Sequence, residues 1–168
     1  MTIDRDQNFK KEIEPRVEWL RKEEKHIEAF FFLCAALEQE LTKLIGLYEK
    51  YASRVVGNYG RKLNLFEYRT NKFRKMTLGQ LRDYLIIFSG NGNLIKELDY
   101  FIELRNDCVH RILDKNISTL NTEVSKNLNR YYRLLFWLLR RQNKLLNSEI
   151  RSHNRKSRKI RKTLAKTH

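Results

Sequence analysis

Along the chain, apolar positions recur by threes and fours rather than by twos. After Pro15, Ile27, Phe30, Phe31, Cys34, Leu37, Leu41, Leu44, Ile45 and Tyr48 keep that spacing, which at about 100° per residue puts them on one side of an α-helix. Proline suits a first turn, where its missing N–H has no intrahelical partner to lose. A single helix is therefore predicted from just after Pro15 to about Val56, and a stripe this continuous must be covered by other helices.

The stretch VGNYGRKLNLFEYRTNKFRK, residues 56 to 75, has no clear period and is expected to be a loop with a short turn of structure. MTLGQL then opens a second helix, with Thr77 and Gln80 at capping-box spacing, and LRDYLIIF continues it. SGNGN, residues 89 to 93, interrupts the pattern, and Asn93 is placed to cap a third helix through LIKELDYFIELRNDCVHRIL. DKNIST, residues 114 to 119, reads as a connection with Ser118 or Thr119 as the next cap. A long fourth helix follows to about Ile150, its stripe formed by Val124, Leu128, Tyr131, Leu135, Leu138 and Leu145, with Gln142 breaking the apolar series. Leu134, Phe136, Trp137 and Leu139 widen this face, which predicts burial on two sides, either inside a bundle or between subunits.

These elements predict an all-α fold: a four- to five-helix up-down bundle over residues 1–150, followed by a basic, flexible tail over 151–168. Composition agrees, because the chain has one proline and six glycines, four of them at Gly57, Gly60, Gly90 and Gly92, where they punctuate periodic segments. At 168 residues it has the length of one domain with appendages. Cys34 and Cys108 are each flanked by apolar residues, as suits buried reduced thiols rather than a disulfide or zinc framework. The polar start MTIDRDQNFKKEIEP is unlike a signal peptide, and AFFFLCAAL is too short to cross a bilayer. A cytoplasmic protein is expected.

Charge changes the picture. The formal net charge is +15, a field that attracts polyanions, chiefly nucleic acid, although acidic proteins and anionic membranes answer to the same sign. Residues 151–168 hold eight Lys or Arg and no acid. Within them Arg155, Lys156, Arg158, Lys159, Arg161 and Lys162 are candidate RNA contacts, with a solvated arm as the alternative. In the loop, Arg61, Lys62, Arg69, Lys72, Arg74 and Lys75 interleave with aromatics, a mixture that suits single-stranded RNA. The alternative is that those rings pin a long connection to the core. Arg111 joins the candidates. Attachment to a membrane by the tail alone would be marginal, since no apolar face or lipidation motif accompanies it.

Chemistry is concentrated in ELRNDCVHRIL, residues 103 to 113. Phe101, Leu104, Cys108 and Ile112 share one helical sector, while Asn106 and His110, four apart, fall together on the opposite side. Arg105 precedes His110 by five residues, a separation of about 140° around an ideal helix. The helix bends or ends near His110, Arg105 reaches round, or a second copy supplies the neighbour across a twofold axis. A histidine can take a proton from a ribose 2′-hydroxyl or give one to a 5′-oxygen leaving group. An arginine can grip a phosphate and balance its transition-state charge. Asn106 can orient either partner. No Gly-rich phosphate loop, HExxH or serine nucleophile elbow occurs, and neither metal nor cofactor is expected.

The wording ELRNDCVH resembles the signature of the HEPN superfamily: an Arg, then commonly Asn, a short spacer and a His near the end of a helix. MTLGQLRDYL followed by LDYFIELRN resembles the helix that precedes that signature, so the likeness spans residues 77 to 113 in wording. The resemblance implies a bundle whose subunits pair so that both signatures face one cleft. It also implies a metal-independent endoribonuclease of toxin–antitoxin, phage-defence or CRISPR-linked systems, with Arg105 and His110 as the catalytic pair and Asn106 as their support. One toxin branch carries a modifiable tyrosine two residues after the histidine, where this chain has Ile112, so control by that route is not expected. RNA, a second copy of the chain and an acidic antitoxin or regulatory protein are the implied partners. The alternative is a non-catalytic HEPN-like module that binds RNA or an acidic protein.

Overall fold

The structure is a computed structural model that describes residues 9, 11–57, 76–88, 92–110 and 116–164, with side chains for all of these but 53–57, 149 and 153–164. Among the described residues there are five helices and no strand: α1 (Glu14–Lys22), α2 (His26–Gly57), α3 (Leu78–Phe88), α4 (Gly92–His110) and α5 (Ile117–Leu164). The protein is an all-α helical bundle. No helix among the described residues is long and apolar enough to cross a membrane.

The helix expected from Pro15 to Val56 is two helices. Lys25 N–H donates to Leu20 O at 2.9 Å and Glu24 N–H to Arg21 O at 3.1 Å, the bond pair of a Schellman turn. Glu24 takes the left-handed conformation there, at φ 56°, a position that usually falls to glycine because a Cβ costs about 1–2 kcal/mol. Asn121, on α5, offsets that cost. Its Nδ2 donates to Glu24 O at 2.8 Å, and its Oδ1 accepts from the N–H groups of His26 at 3.0 Å and Ile27 at 3.2 Å. The cap of α2 thus comes from another helix, and no local pattern announces it.

The predicted stripe of α2 is buried from Ile27 to Tyr48, with Phe31 partly exposed. Its Phe30 ring meets Phe101 of α4 at 5.4 Å and Tyr131 of α5 at 5.1 Å, and those two rings meet edge to face at 4.5 Å. Three helices therefore share one aromatic centre. Cys34 and Cys108 are buried, as their flanks predict, and form no disulfide among the described residues.

Asn121 meets the start of α2 while Gln142 meets Glu40 further along it, so α2 and α5 run the same way. Glu97 pairs with Arg130 and Tyr100 with Asn127, so α4 runs against α5. Arg82 of α3 reaches Asp99 of α4 at 2.6 Å. The short 88–92 connection turns α4 back along α3, so direction alternates from α3 to α5. It alternates again between α1 and α2, since the chain passes from Phe9 beside Phe136 to Glu24 beside Asn121.

Thr77 and Gln80 form the expected capping box: Thr77 N–H donates to Gln80 Oε1 at 2.9 Å, and Gln80 N–H to Thr77 Oγ1 at 3.4 Å. The cap of α5 is Asn116 rather than Ser118 or Thr119. Its Oδ1 accepts from Ser118 N–H at 3.0 Å, and a helix begun one residue later would lose that acceptor. Asn93 lies inside α4, which already starts at Gly92. The expected end of α5 near Ile150 is also corrected, because the helix continues to Leu164, with nothing between to break it. The two-sided burial of α5 is satisfied within one chain: Phe9 packs edge-on against Tyr132 at 6.1 Å and Phe136 at 5.1 Å, on the side away from α4.

Candidate active site

Helix α4 buries Leu94, Leu98, Phe101, Leu104 and Cys108. That register fixes everything else on the helix. Asn106 and His110 emerge exposed, one turn apart, with His110 as the last residue of α4. Arg105 follows Phe101 by four residues and so stands only about 40° from its sector, on the flank where α2 lies. Its Nη2 is 3.4 Å from Glu38 Oε1 of α2, with both side chains about one-third exposed (34% and 32%).

Arg105 therefore sits on the wet lip of the core. Below it, burial pushes the Cys34 thiol far above its ordinary range; nearby Arg105 opposes that shift, while Glu38 and Cys108 reinforce it. Such a thiol stays protonated and unreactive. Val109, half exposed, is the apolar neighbour of Arg105 on the same flank.

Asn106 and His110 share one side of α4, and Arg105 stands on another. The helix runs without a break from Gly92 through His110, so the separation of about 140° holds within one chain. Ile112 and Arg111 lie outside the described residues, as do Arg61, Lys62, Arg69, Lys72, Arg74 and Lys75. Arg155, Lys156, Arg158, Lys159, Arg161 and Lys162 lie on the helical backbone of α5, and their side chains are outside the description. Among the described residues, no three His, Cys, Asp or Glu side chains are grouped so as to hold a metal ion.

At the opposite end of α4, a cleft of about 340 Å³ opens toward α5. Asn93, Leu94 and Glu97 line it from α4, and Arg130, Arg133 and Trp137 from α5. Arg130 holds Glu97 with two bonds, Nε to Oε2 at 2.6 Å and Nη2 to Oε1 at 3.0 Å, and its guanidinium lies over the Tyr100 ring at 3.9 Å. This bonding holds the Glu97 carboxyl below its usual range. These α5 residues were not among the candidates drawn from sequence. The signal that finds them is the spacing by threes and fours of the basic residues on α5, on the side opposite its apolar stripe.

Comparisons of the chain with protein-family models, with curated proteins and with solved structures found no match.

Proposed function

We propose that the chain is a metal-independent endoribonuclease of HEPN type, acting as a homodimer in which Arg105 and His110 of two copies line one cleft. The observation that carries this reading is the exposure of Asn106 and His110 on the last turn of α4, with Arg105 left partly open to solvent on the neighbouring flank. The separation of Arg105 from His110 around one helix is what a second copy resolves. Half-exposed Val109 gives the Arg105 flank an apolar surface for such pairing.

In this reading His110 of one copy takes the proton of a ribose 2′-hydroxyl, whose oxygen attacks the adjacent phosphorus. The bond to the 5′-oxygen breaks, and that oxygen takes its proton from the other copy's His110. A 2′,3′-cyclic phosphate and a 5′-hydroxyl result. Arg105 balances the charge that builds on the non-bridging oxygens, and Asn106, one turn from His110, orients it or a phosphate oxygen. The setting the resemblance implies is a cytoplasmic toxin or phage-defence effector, held in check by an acidic antitoxin or regulatory protein.

A second reading is a non-catalytic module that binds RNA or an acidic protein. It is favoured by the engagement of Arg105 with Glu38, which gives that guanidinium a structural partner. Wild type, His110→Ala and Arg105→Ala incubated with total RNA in EDTA decide between them. Cleavage by wild type alone supports the enzyme. Equal binding with no cleavage by any of the three supports the module.

A further inference from the structure

The charge of this protein lies mainly on one helix. From residue 124 to the C-terminus there are 14 Lys or Arg and one acid, Glu149, whereas residues 1–123 carry 21 Lys or Arg against 19 acids. Within α5, Lys126, Arg130, Arg133, Trp137, Arg140, Lys144 and Arg151 advance by fours, threes and one seven. They fall within an arc of about 80°, nearly opposite the buried positions Leu128, Leu135, Leu138 and Gln142. Lys126, Arg133, Arg140, Lys144 and Arg151 are exposed, and none of them takes part in the ion pairs formed among the described residues. The helical backbone continues to Leu164, so positions 155, 158 and 162 keep the same register. From Lys126 to position 162 the stripe is about 54 Å long.

An ordinary solvated face mixes signs, as α1 does where Arg21 pairs with Glu18 at 3.0 Å. Like charges one turn apart repel; Glu97 of α4 holds Arg130, but from Arg133 to Lys144 α5 carries no acid to relieve the rest. A polyanion would relieve them along its whole length. The one aromatic in the stripe, Trp137, stands between Arg133 and Arg140 and lines the cleft against α4. That cleft has room for a flat ring, with Asn93 on its far wall as a hydrogen-bonding group. A base stacked inside a duplex cannot enter it, whereas an unpaired base can.

We propose that the basic face of α5 is a binding surface for single-stranded nucleic acid, with phosphates following Lys126, Arg133, Arg140, Lys144 and Arg151 and an unpaired base stacked beside Trp137. The cleft beside Trp137 stands at the other end of α4 from His110, about 25 Å away by the helical rise from Asn93, while the near end of the stripe, Lys126, lies alongside the middle of α4, where Tyr100 meets Asn127. It deepens the ribonuclease reading by naming where the substrate strand is held, and in that respect rests on it.

The test uses the full chain and a labelled, unstructured oligonucleotide in RNA and 2′-deoxy forms, with anisotropy followed over a salt series. Arg133→Gln/Arg140→Gln/Lys144→Gln, all at exposed positions, should weaken binding of both forms about tenfold or more at low salt. The slope of log affinity on log salt should shrink by about 2, at roughly 0.7 for each phosphate no longer neutralised. In a Trp19→Phe background Trp137 is the remaining tryptophan, and its fluorescence should be quenched by the oligonucleotide but not by inorganic polyphosphate.

Unchanged affinity and slope in the triple variant would overturn the proposal. So would a Trp137 signal indifferent to bound oligonucleotide or equally moved by polyphosphate, or stripe-dependent binding to phosphatidylserine vesicles with none to oligonucleotides. The 2′-deoxy strand cannot be cut by 2′-hydroxyl attack, which separates this proposal from the ribonuclease. Stripe-dependent binding without cleavage of RNA defeats only the enzyme, and cleavage without stripe dependence defeats only the stripe.

Discussion

Replacing Gln142 by Leu tests how the two longest helices are held together. Gln142 is fully buried, and its Nε2 donates to the Glu40 backbone oxygen and to Glu40 Oε2, each at 2.8 Å. Glu40 is itself only 6% exposed, and its other carboxylate oxygen accepts from Lys43 Nζ at 2.5 Å. Losing a hydrogen bond to a charged acceptor costs about 1.5–3 kcal/mol, and the carboxylate left short of a donor in a nearly dry site adds to that. A leucine returns roughly 1.5 kcal/mol by apolar burial.

The balance is a loss of about 2 kcal/mol, or a fall in Tm of about 4–8 °C for a chain of this size. Urea and thermal unfolding followed by far-ultraviolet circular dichroism measure both. Glu40→Leu/Gln142→Leu should be less destabilised than the two single changes summed, with a coupling of about 1–3 kcal/mol. An unchanged or raised midpoint in Gln142→Leu would refute the reasoning, since the hydrogen bonds would then contribute no more than the leucine that replaces them.

Tyr131 is 2% exposed and its hydroxyl has no hydrogen-bond partner among the described residues, so Tyr131→Phe should stabilise the protein by about 1 kcal/mol; a lower urea midpoint would count against it. Glu97, held below its ordinary range chiefly by its hydrogen bonds to Arg130, has a folded pKa lower than its unfolded one. Its stabilisation is therefore present above about pH 5 and lost as pH falls through the depressed folded value. With side chains 34% and 41% exposed, the pair contributes less than about 1 kcal/mol. Stability curves of wild type and Glu97→Gln should thus differ modestly near neutrality and converge in acid, whereas a gap that widens in acid contradicts the sign. Cys34 and Cys108 are buried, and burial raises the Cys34 thiol, so neither should react with a thiol reagent in native buffer and both should react in denaturant; one fast equivalent in the native state would be the contrary result.

The apolar stripes of α2, α4 and α5 were legible in the sequence because each is a repeat within one helix and needs no knowledge of its neighbour. The capping box at Thr77 and Gln80 was legible for the same reason. The break at Glu24 was not, because its cap is Asn121, nearly a hundred residues later in the chain. The ion pair of Arg105 with Glu38 was equally hidden: the wheel places Arg105 beside the core, and only the packing of α2 on that flank supplies an acid. Gln142 stood out as an exception in an apolar series, but its reason, Glu40, belongs to another helix. On α5 the basic stripe has the same period as the apolar one. Composition marks only its last third, as a tail, because the first two-thirds is interleaved with the leucines of the core.

The geometry of α4 sets a length requirement on any strand that uses both proposed sites. Because α4 runs against α5, its first turn lies beside Trp137 and its last turn carries His110, about 25 Å away by helical rise. At about 3.4 Å per stacked nucleotide, that distance corresponds to roughly seven nucleotides. A stacked RNA shorter than this cannot reach Arg133 or Trp137 while its phosphate is at His110 of the same chain, although it can reach Lys126, which lies alongside the middle of α4, so Arg133→Gln/Arg140→Gln/Lys144→Gln should cut it at the wild-type rate. Longer strands should lose rate in that variant, through KM rather than kcat, because the stripe holds the strand and does not touch the reacting phosphate. A stripe effect of equal size on strands of every length would mean that the basic face gathers RNA only as a diffuse field, with no strand laid from Trp137 toward His110.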